Sequence, residues 1–189
     1  MAERVSALSC EQALSVLAYL KEEGSLRDVA LWSLGIGTGL RIGELLKLRA
    51  CDFLTMGDRI DARLAVRFTK TTRERTVPLI PLVRRAVEAY VLPGLRHTEL
   101  LFPITRQHAH RLVKEWCAAA GVEGQFGTQS MRKTFAAIAY DHSGGDAALT
   151  ARVTGHSNPS QLMTYIGCTP ATEESVWEGV REAFAGCGV

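Results

Sequence analysis

Gly127 to Gly167 reads GTQSMRKTFAAIAYDHSGGDAALTARVTGHSNPSQLMTYIG, and this stretch decides how the rest of the chain is understood. It divides into three short helical segments with polar chemistry at their ends. Gln129 and Arg132 are three residues apart and so share a helix face. Thr128 stands before them as the expected N-cap. That puts Arg132 in a first turn, where free N–H groups and the helix dipole favour an anion. Gly144-Gly145 breaks the next segment, and His156 follows Gly155 in a loop. Asn158-Pro159 is a cap with a first-turn proline. Tyr165 lies near the end of the helix that they open, ahead of Gly167.

Upstream, Ser9 with Gln12 has the spacing of a capping box and opens an amphipathic helix. Ser25 with Asp28 repeats the signal. The next helix, around Leu26 to Ile36, is apolar almost all round and reads as buried core, ended by Gly37 and Gly39. Arg41 to Arg49 is expected to restart a helix with Ile42, Leu45, Leu46 and Leu48 inward. The pattern then changes. Met56-Gly57-Asp58 is a turn, Leu64 to Thr69 a strand, Lys70 to Arg73 a polar turn, and Arg75 to Leu79 a returning strand. Pro78 suits an edge or a strand end. Helices follow from about 82 to 90 and 106 to 120, with an amphipathic one near 172 to 184. The expected fold is α+β, mainly helical, with a small antiparallel sheet of two or three strands, in a single domain over residues 1–189.

The chain's 189 residues suffice for one good core. A net charge of +2 decides little, but its distribution is uneven. Arg41 to Arg75 holds nine Lys and Arg against five Asp and Glu, while Cys168 to Val189 holds one Arg against four Glu. A basic body with an acidic tail fits a polyanion surface, and a solvated charged surface explains it as well. The five cysteines (Cys10, Cys51, Cys117, Cys168, Cys187) lack metal spacing and read as reduced thiols of a cytosolic protein. His108 and His110 are two apart on a helix and do not face one metal; His97 and His142 stay unassigned. No apolar run is long and charge-free enough for a membrane span or a signal peptide.

Taken together, these residues resemble the catalytic half of the tyrosine recombinases, the phage-integrase family. That family carries a His-x-x-Arg box, then a Gly-His box, then a nucleophilic tyrosine. The corresponding residues here are Gln129-Ser130-Met131-Arg132, Gly155-His156-Ser157 and Tyr165-Ile166-Gly167. Thr38-Gly39-Leu40-Arg41-Ile42-Gly43-Glu44-Leu45 resembles the family's first arginine box. Gln129 departs from the pattern, because the family usually has histidine there. The resemblance covers about Ser9 to Phe184. It also implies a separate core-binding domain ahead of the catalytic part, for which the residues before Arg41 are too few.

The resemblance implies a site-specific DNA recombinase that cleaves and rejoins double-stranded DNA through a 3′-phosphotyrosyl intermediate, in a prokaryotic cytoplasm at the nucleoid and often for a mobile element. The chemistry requires no metal and no cofactor. Tyr165 is the expected nucleophile, because a phenoxide on phosphorus stores the bond energy in an ester. Arg41 and Arg132 clamp the scissile phosphate with bidentate donors. His156 hydrogen-bonds the phosphate, Lys70 protonates the leaving 5′ oxygen, and Glu44 supports Arg41. Gln129 can donate to a phosphate oxygen but cannot titrate. For residues 168–189, with Val176, Trp177, Val180 and Phe184 at helical spacing, the resemblance implies docking on a neighbouring protomer of a homo-tetramer on DNA, the free chain being a monomer or weak oligomer, while packing of the same stripe on the chain's own core explains it as well.

Plainer readings exist for each residue. Tyr165 alone is a half-buried core residue, Arg41 with Glu44 a surface ion pair of small weight, and Lys70 beside Arg73 and Arg75 a solvated turn. It is the order and spacing of all of them that favours the enzyme. The alternatives are a DNA-binding regulator that has kept the fold without the chemistry, and a type IB topoisomerase-like relaxing enzyme.

Overall fold

The computed structural model describes residues 5–55, 59–66, 75–94 and 96–167. The expected turn at Met56-Gly57-Asp58, the turn that carries Lys70, and the tail from Cys168 lie outside them.

Most helix starts among the described residues are written by side chains that accept backbone N–H groups. Helix α1 (Cys10–Glu23) opens on the capping box expected from the sequence. Ser9 Oγ accepts from Gln12 N at 3.0 Å, and Gln12 Oε1 accepts from Ser9 N at 2.9 Å. Its buried residues, Ala13, Val16, Leu17 and Leu20, recur at helical spacing. Helix α2 (Leu26–Thr38) opens at Ser25, whose side chain accepts from Asp28 N, and is buried continuously from Ala30 to Gly35.

A helix buried on all sides must meet neighbours closely. A Cβ at Gly35 would lie 2.4 Å from Met131 Sδ, and one at Gly37 2.4 Å from Val83 Cγ2. Gly37 therefore does not end α2, as its type suggests. It lets helix α4 (Pro81–Val91) approach, as Gly35 admits helix α6 (Thr128–His142). Each glycine costs a helix about 1 kcal/mol relative to alanine, an amount that close packing offsets. Trp32 sits at the centre, fully buried. Its indole N–H donates to the Ala13 carbonyl at 3.1 Å, and its ring meets Trp116 of helix α5 (Arg106–Ala119) edge-on at 6.2 Å.

Helix α3 (Ile42–Leu45) is one turn only, shorter than the helix expected to Arg49. Tertiary pairing overrides helical periodicity here. The backbone after Leu45 bonds across to residues 97–101: Ala50 N to Glu99 O at 3.1 Å, and Leu101 N to Leu48 O at 2.9 Å. Arg49 faces Leu100 in an isolated bridge, and Ala50–Asp52 forms a 3-10 turn.

Strands β1 (Arg63–Val66) and β2 (Arg75–Pro78) pair antiparallel, Arg63 opposite Pro78 and Val66 opposite Arg75. Leu64, Val66 and Val77 turn one face to the core. Pro78 takes the strand's end, as expected. These are the strands among the described residues.

Helix α7 (Ala147–Thr154) and helix α8 (Pro159–Ile166) close the described chain. They pack on α6 through a second small apolar cluster of Ala136, Ala151 and Leu162, with Tyr165 and Ile166 against it. This cluster fixes α6, α7 and α8 to one another.

Candidate active site

The site begins where α2 ends. Gly39 takes the left-handed conformation (φ 62°), which only glycine adopts cheaply, and turns the chain sharply. Leu40 then drops into the core and Arg41 projects outward, half its side chain exposed. Glu44 holds Arg41 from one turn on. Its carboxylate accepts from the Arg41 backbone N–H at 2.7 Å and lies 3.6 Å from the guanidinium. Glu44 is itself only 6% exposed, so it is a fixed support rather than a floating surface partner. The other end of the guanidinium donates to the Gly155 carbonyl at 3.3 Å.

Arg132 comes from α6. The helix starts one residue earlier than expected: Gly127 is the cap and Thr128 the first helical residue. The reason is that Ser130 Oγ accepts from Gly127 N at 3.2 Å, which fixes the cap there. Arg132 consequently sits in the second turn, beyond the free N–H groups. The charge available to an anion there is the guanidinium itself, not the helix dipole. It is 3% exposed and donates to the Gly39 carbonyl at 2.6 Å. Its second nitrogen lies 3.4 Å from His156 Nε2. A buried guanidinium needs such partners, since losing one leaves a buried charge uncompensated.

His156 is aimed by the end of α7. Gly155 is left-handed (φ 69°), and its N–H reaches Arg152 O while His156 N reaches Ala151 O. Those two bonds form a Schellman turn. Thr154 Oγ1 lies 2.6 Å from His156 Nδ1 and bonds the Thr150 carbonyl at 2.7 Å. A carbonyl can only accept, so the Thr154 hydroxyl proton goes to Thr150. Nδ1 then carries a proton toward Thr154, and Nε2 accepts from Arg132. We assign that tautomer from the order of donors.

Tyr165 completes the group from α8. That helix opens as read from the sequence, with Asn158 Oδ1 accepting from Gln161 N at 2.8 Å and Pro159 in the first turn. The Tyr165 hydroxyl donates to the Gln129 backbone carbonyl at 3.1 Å. Its ring centroid is 5.0 Å from that of His156. Burial pushes the Tyr165 phenol above the ordinary tyrosine value, while Arg132 and Arg41 pull it back. Gln129 is exposed on the first turn of α6. Lys70 lies outside the described residues.

Arg41, Glu44, Arg132, His156 and Tyr165 are thus gathered from separate elements onto one patch, with the Gln129 backbone beside the phenol. Sequence reasoning missed Thr154, which fixes the imidazole. Its only signal was a hydroxyl residue two places before His156.

The profile of the phage integrase family matches residues 6–171. The chain belongs to that family. A probable integrase/recombinase of Bacillus subtilis, YoeC, is 30% identical over 177 residues, covering 90% of this chain and 93% of that protein. A tyrosine recombinase XerD of Corynebacterium glutamicum is 28% identical over 168 residues, covering 82% of this chain and 53% of that protein. Against XerD the chain therefore spans about half the relative's length. Among solved structures, the XerA recombinase superposes with a TM-score of 0.72 at 20% identity, over 97% of this chain and 66% of that one. The XerH site-specific recombinase, bound to its difH substrate before cleavage, gives 0.71 at 19%, over 94% and 54%. At those identities the likeness is one of fold, and the fold is that of tyrosine recombinase catalytic domains.

Proposed function

We propose that this chain is a site-specific DNA recombinase that cuts and rejoins double-stranded DNA through a 3′-phosphotyrosyl intermediate. The observation that carries the reading is the convergence of Arg41 and Arg132 on the surroundings of His156 and Tyr165. Two guanidiniums and an imidazole beside a phenol are what transesterification at a phosphodiester needs.

In this reading the scissile phosphate lies between Arg41 and Arg132, which stabilise the charge that develops on its non-bridging oxygens. Tyr165 leaves the Gln129 carbonyl, sheds its proton to solvent and forms a bond from its phenolic oxygen to phosphorus. The bond from phosphorus to the 5′ oxygen breaks, and that oxygen takes a proton from Lys70 to become a hydroxyl. A 5′-hydroxyl of a second strand then attacks the phosphotyrosine and releases Tyr165. His156 donates a hydrogen bond to the phosphate. Doing so through Nε2 requires protonation or a tautomer change from the resting arrangement, which the Thr154 hydroxyl accommodates by rotating. Gln129 supplies a neutral donor where a histidine would supply a titratable one.

We extend the reading to a tetramer on DNA, with residues 168–189 docking on a neighbouring protomer and the free chain monomeric or weakly associated. The protein would then act in the cytoplasm, on the nucleoid. Removing the residues after Cys168 is expected to change the assembled mass on DNA and the pattern of cleavage; unchanged mass and cleavage would contradict the docking.

The function is tested by covalent trapping. Supercoiled plasmid carrying DNA from around the gene is incubated with the chain and quenched with detergent. An adduct that Tyr165→Phe abolishes is expected. DNA binding without any adduct, in both the wild type and Gln129→His, would instead favour a regulator that has kept the fold and lost the chemistry.

A further inference from the structure

Tyr165 lies along α6 rather than across it. Its hydroxyl rests on the Gln129 carbonyl, and the Lys133 ammonium stands 5.4 Å from its ring centroid. Gln129 and Lys133 are one helical turn apart, so one edge of α6 meets both the polar and the apolar part of the tyrosine. On another side stands the His156 ring. A cation within about 6 Å of a ring centroid is attracted by the ring's negative face.

Lys133 is not a loose surface chain. It is half-buried, and its ammonium also donates to the Val5 carbonyl at 2.8 Å. Val5 begins a segment fastened to the body of the protein. Ser6 N donates to the Gln125 carbonyl at 3.0 Å, and Leu8 N donates to Thr134 Oγ1 at 2.8 Å. The Thr134 hydroxyl lies 3.3 Å from the Leu8 carbonyl in return. The side chain next to Lys133 on α6 therefore grips the same segment. The N-terminal strap and the nucleophile meet at one ammonium.

We propose that Lys133 is a positioning residue for the nucleophile: anchored by the Val5–Leu8 strap, its charge holds the Tyr165 ring beside the two arginines. This rests on the recombinase reading and adds to it a residue outside the phosphate-binding set. Lys133 does not contact phosphate in this role. It acts through Tyr165, so its loss should lower the rate of bond formation and leave DNA affinity alone.

The test is single-turnover adduct formation at saturating DNA, using the full chain and a nicked substrate that traps the phosphotyrosine. Wild type is compared with Lys133→Arg, Lys133→Met and Lys133→Gln, with DNA affinity measured separately. Arginine keeps the cation, methionine keeps the stem without charge, and glutamine keeps a donor for the Val5 carbonyl without charge. We expect the Met and Gln variants to be slower by roughly three- to tenfold at unchanged affinity, with Arg close to wild type. Equal rates in all four would overturn the role. So would an Arg variant as slow as the other two, or a loss of affinity with the saturated rate intact. A wild type that forms no adduct would overturn the recombinase reading itself, and the positioning role with it.

Discussion

Arg41 and Arg132 carry the same charge toward the same place, yet they are held differently, and the difference is measurable. Arg41 is half exposed and braced by Glu44. Replacing it with alanine should lower adduct formation by on the order of 10²–10³ and leave the melting temperature nearly unchanged. Arg132 is buried and bonded to the carbonyl at the end of α2. Its removal should cost a similar factor in rate and also destabilise the fold by about 1–3 kcal/mol, because the Gly39 carbonyl loses a buried donor. Thermal melts beside rate measurements separate the two. Either substitution removes a charge that pulls the Tyr165 phenol down while burial pushes it up. The folded state favours the neutral phenol, so ionisation is reached only above the ordinary tyrosine range. Adduct formation should therefore rise with pH across the neutral region, and the rise should move to higher pH in Arg132→Ala. Gln129→His should increase the rate and add a titration between about pH 6 and 7, visible as a second limb absent from the wild type.

At the scale of elements, the caps were legible and the contacts were not. Ser9 with Gln12 and Asn158 with Pro159 act locally, within one turn, and the structure uses them as their spacing says. The helix expected from Arg41 to Arg49 is cut to one turn, because residues 48–51 find backbone partners at residues 97–101, far along the chain. Periodicity carries no information about such partners. Gly37 illustrates the same limit: its type signals a helix end, while its missing Cβ serves close packing against Val83. The Gly155 turn is the element that aims His156, and its φ of 69° penalises any side chain. Gly155→Ala should cost roughly 1–2 kcal/mol of stability and slow adduct formation by displacing the imidazole. A denaturant titration run beside the trapping assay checks both.

Across the whole molecule, the site joins the two ends of the folding pattern. Arg41 and Glu44 come from the turn after the most buried helix and the short helix that follows it, and Arg132, His156 and Tyr165 come from the α6–α8 cluster far along the chain, so the Arg132 bond to Gly39 ties one to the other. The candidate residues that the structure brings together, Arg41, Glu44, Arg132, His156 and Tyr165, could be singled out in the sequence because their types suit the chemistry and their order resembles the family's. Thr154, Lys133 and the strap could not, because their roles come from where the chain folds back on itself. The core makes its own prediction. Cys117 is buried and its thiol is pushed up to about 11 by desolvation, whereas Cys10 and Cys51 are exposed. Its protonated form is favoured by folding, so that contribution to stability is complete below pH 9.0 and is lost as pH climbs through about 11. At pH 8, iodoacetamide should label Cys10 and Cys51 well before Cys117, and the difference should vanish on unfolding. The central claim, however, is that the phenol of Tyr165 becomes bonded to DNA. The direct measurement is to digest the trapped adduct and locate the nucleotide-bearing peptide by mass spectrometry. A nucleotide 3′-phosphate on Tyr165, absent from Tyr165→Phe, is the predicted result. An adduct on any other residue, or one that survives in Tyr165→Phe, would contradict the account.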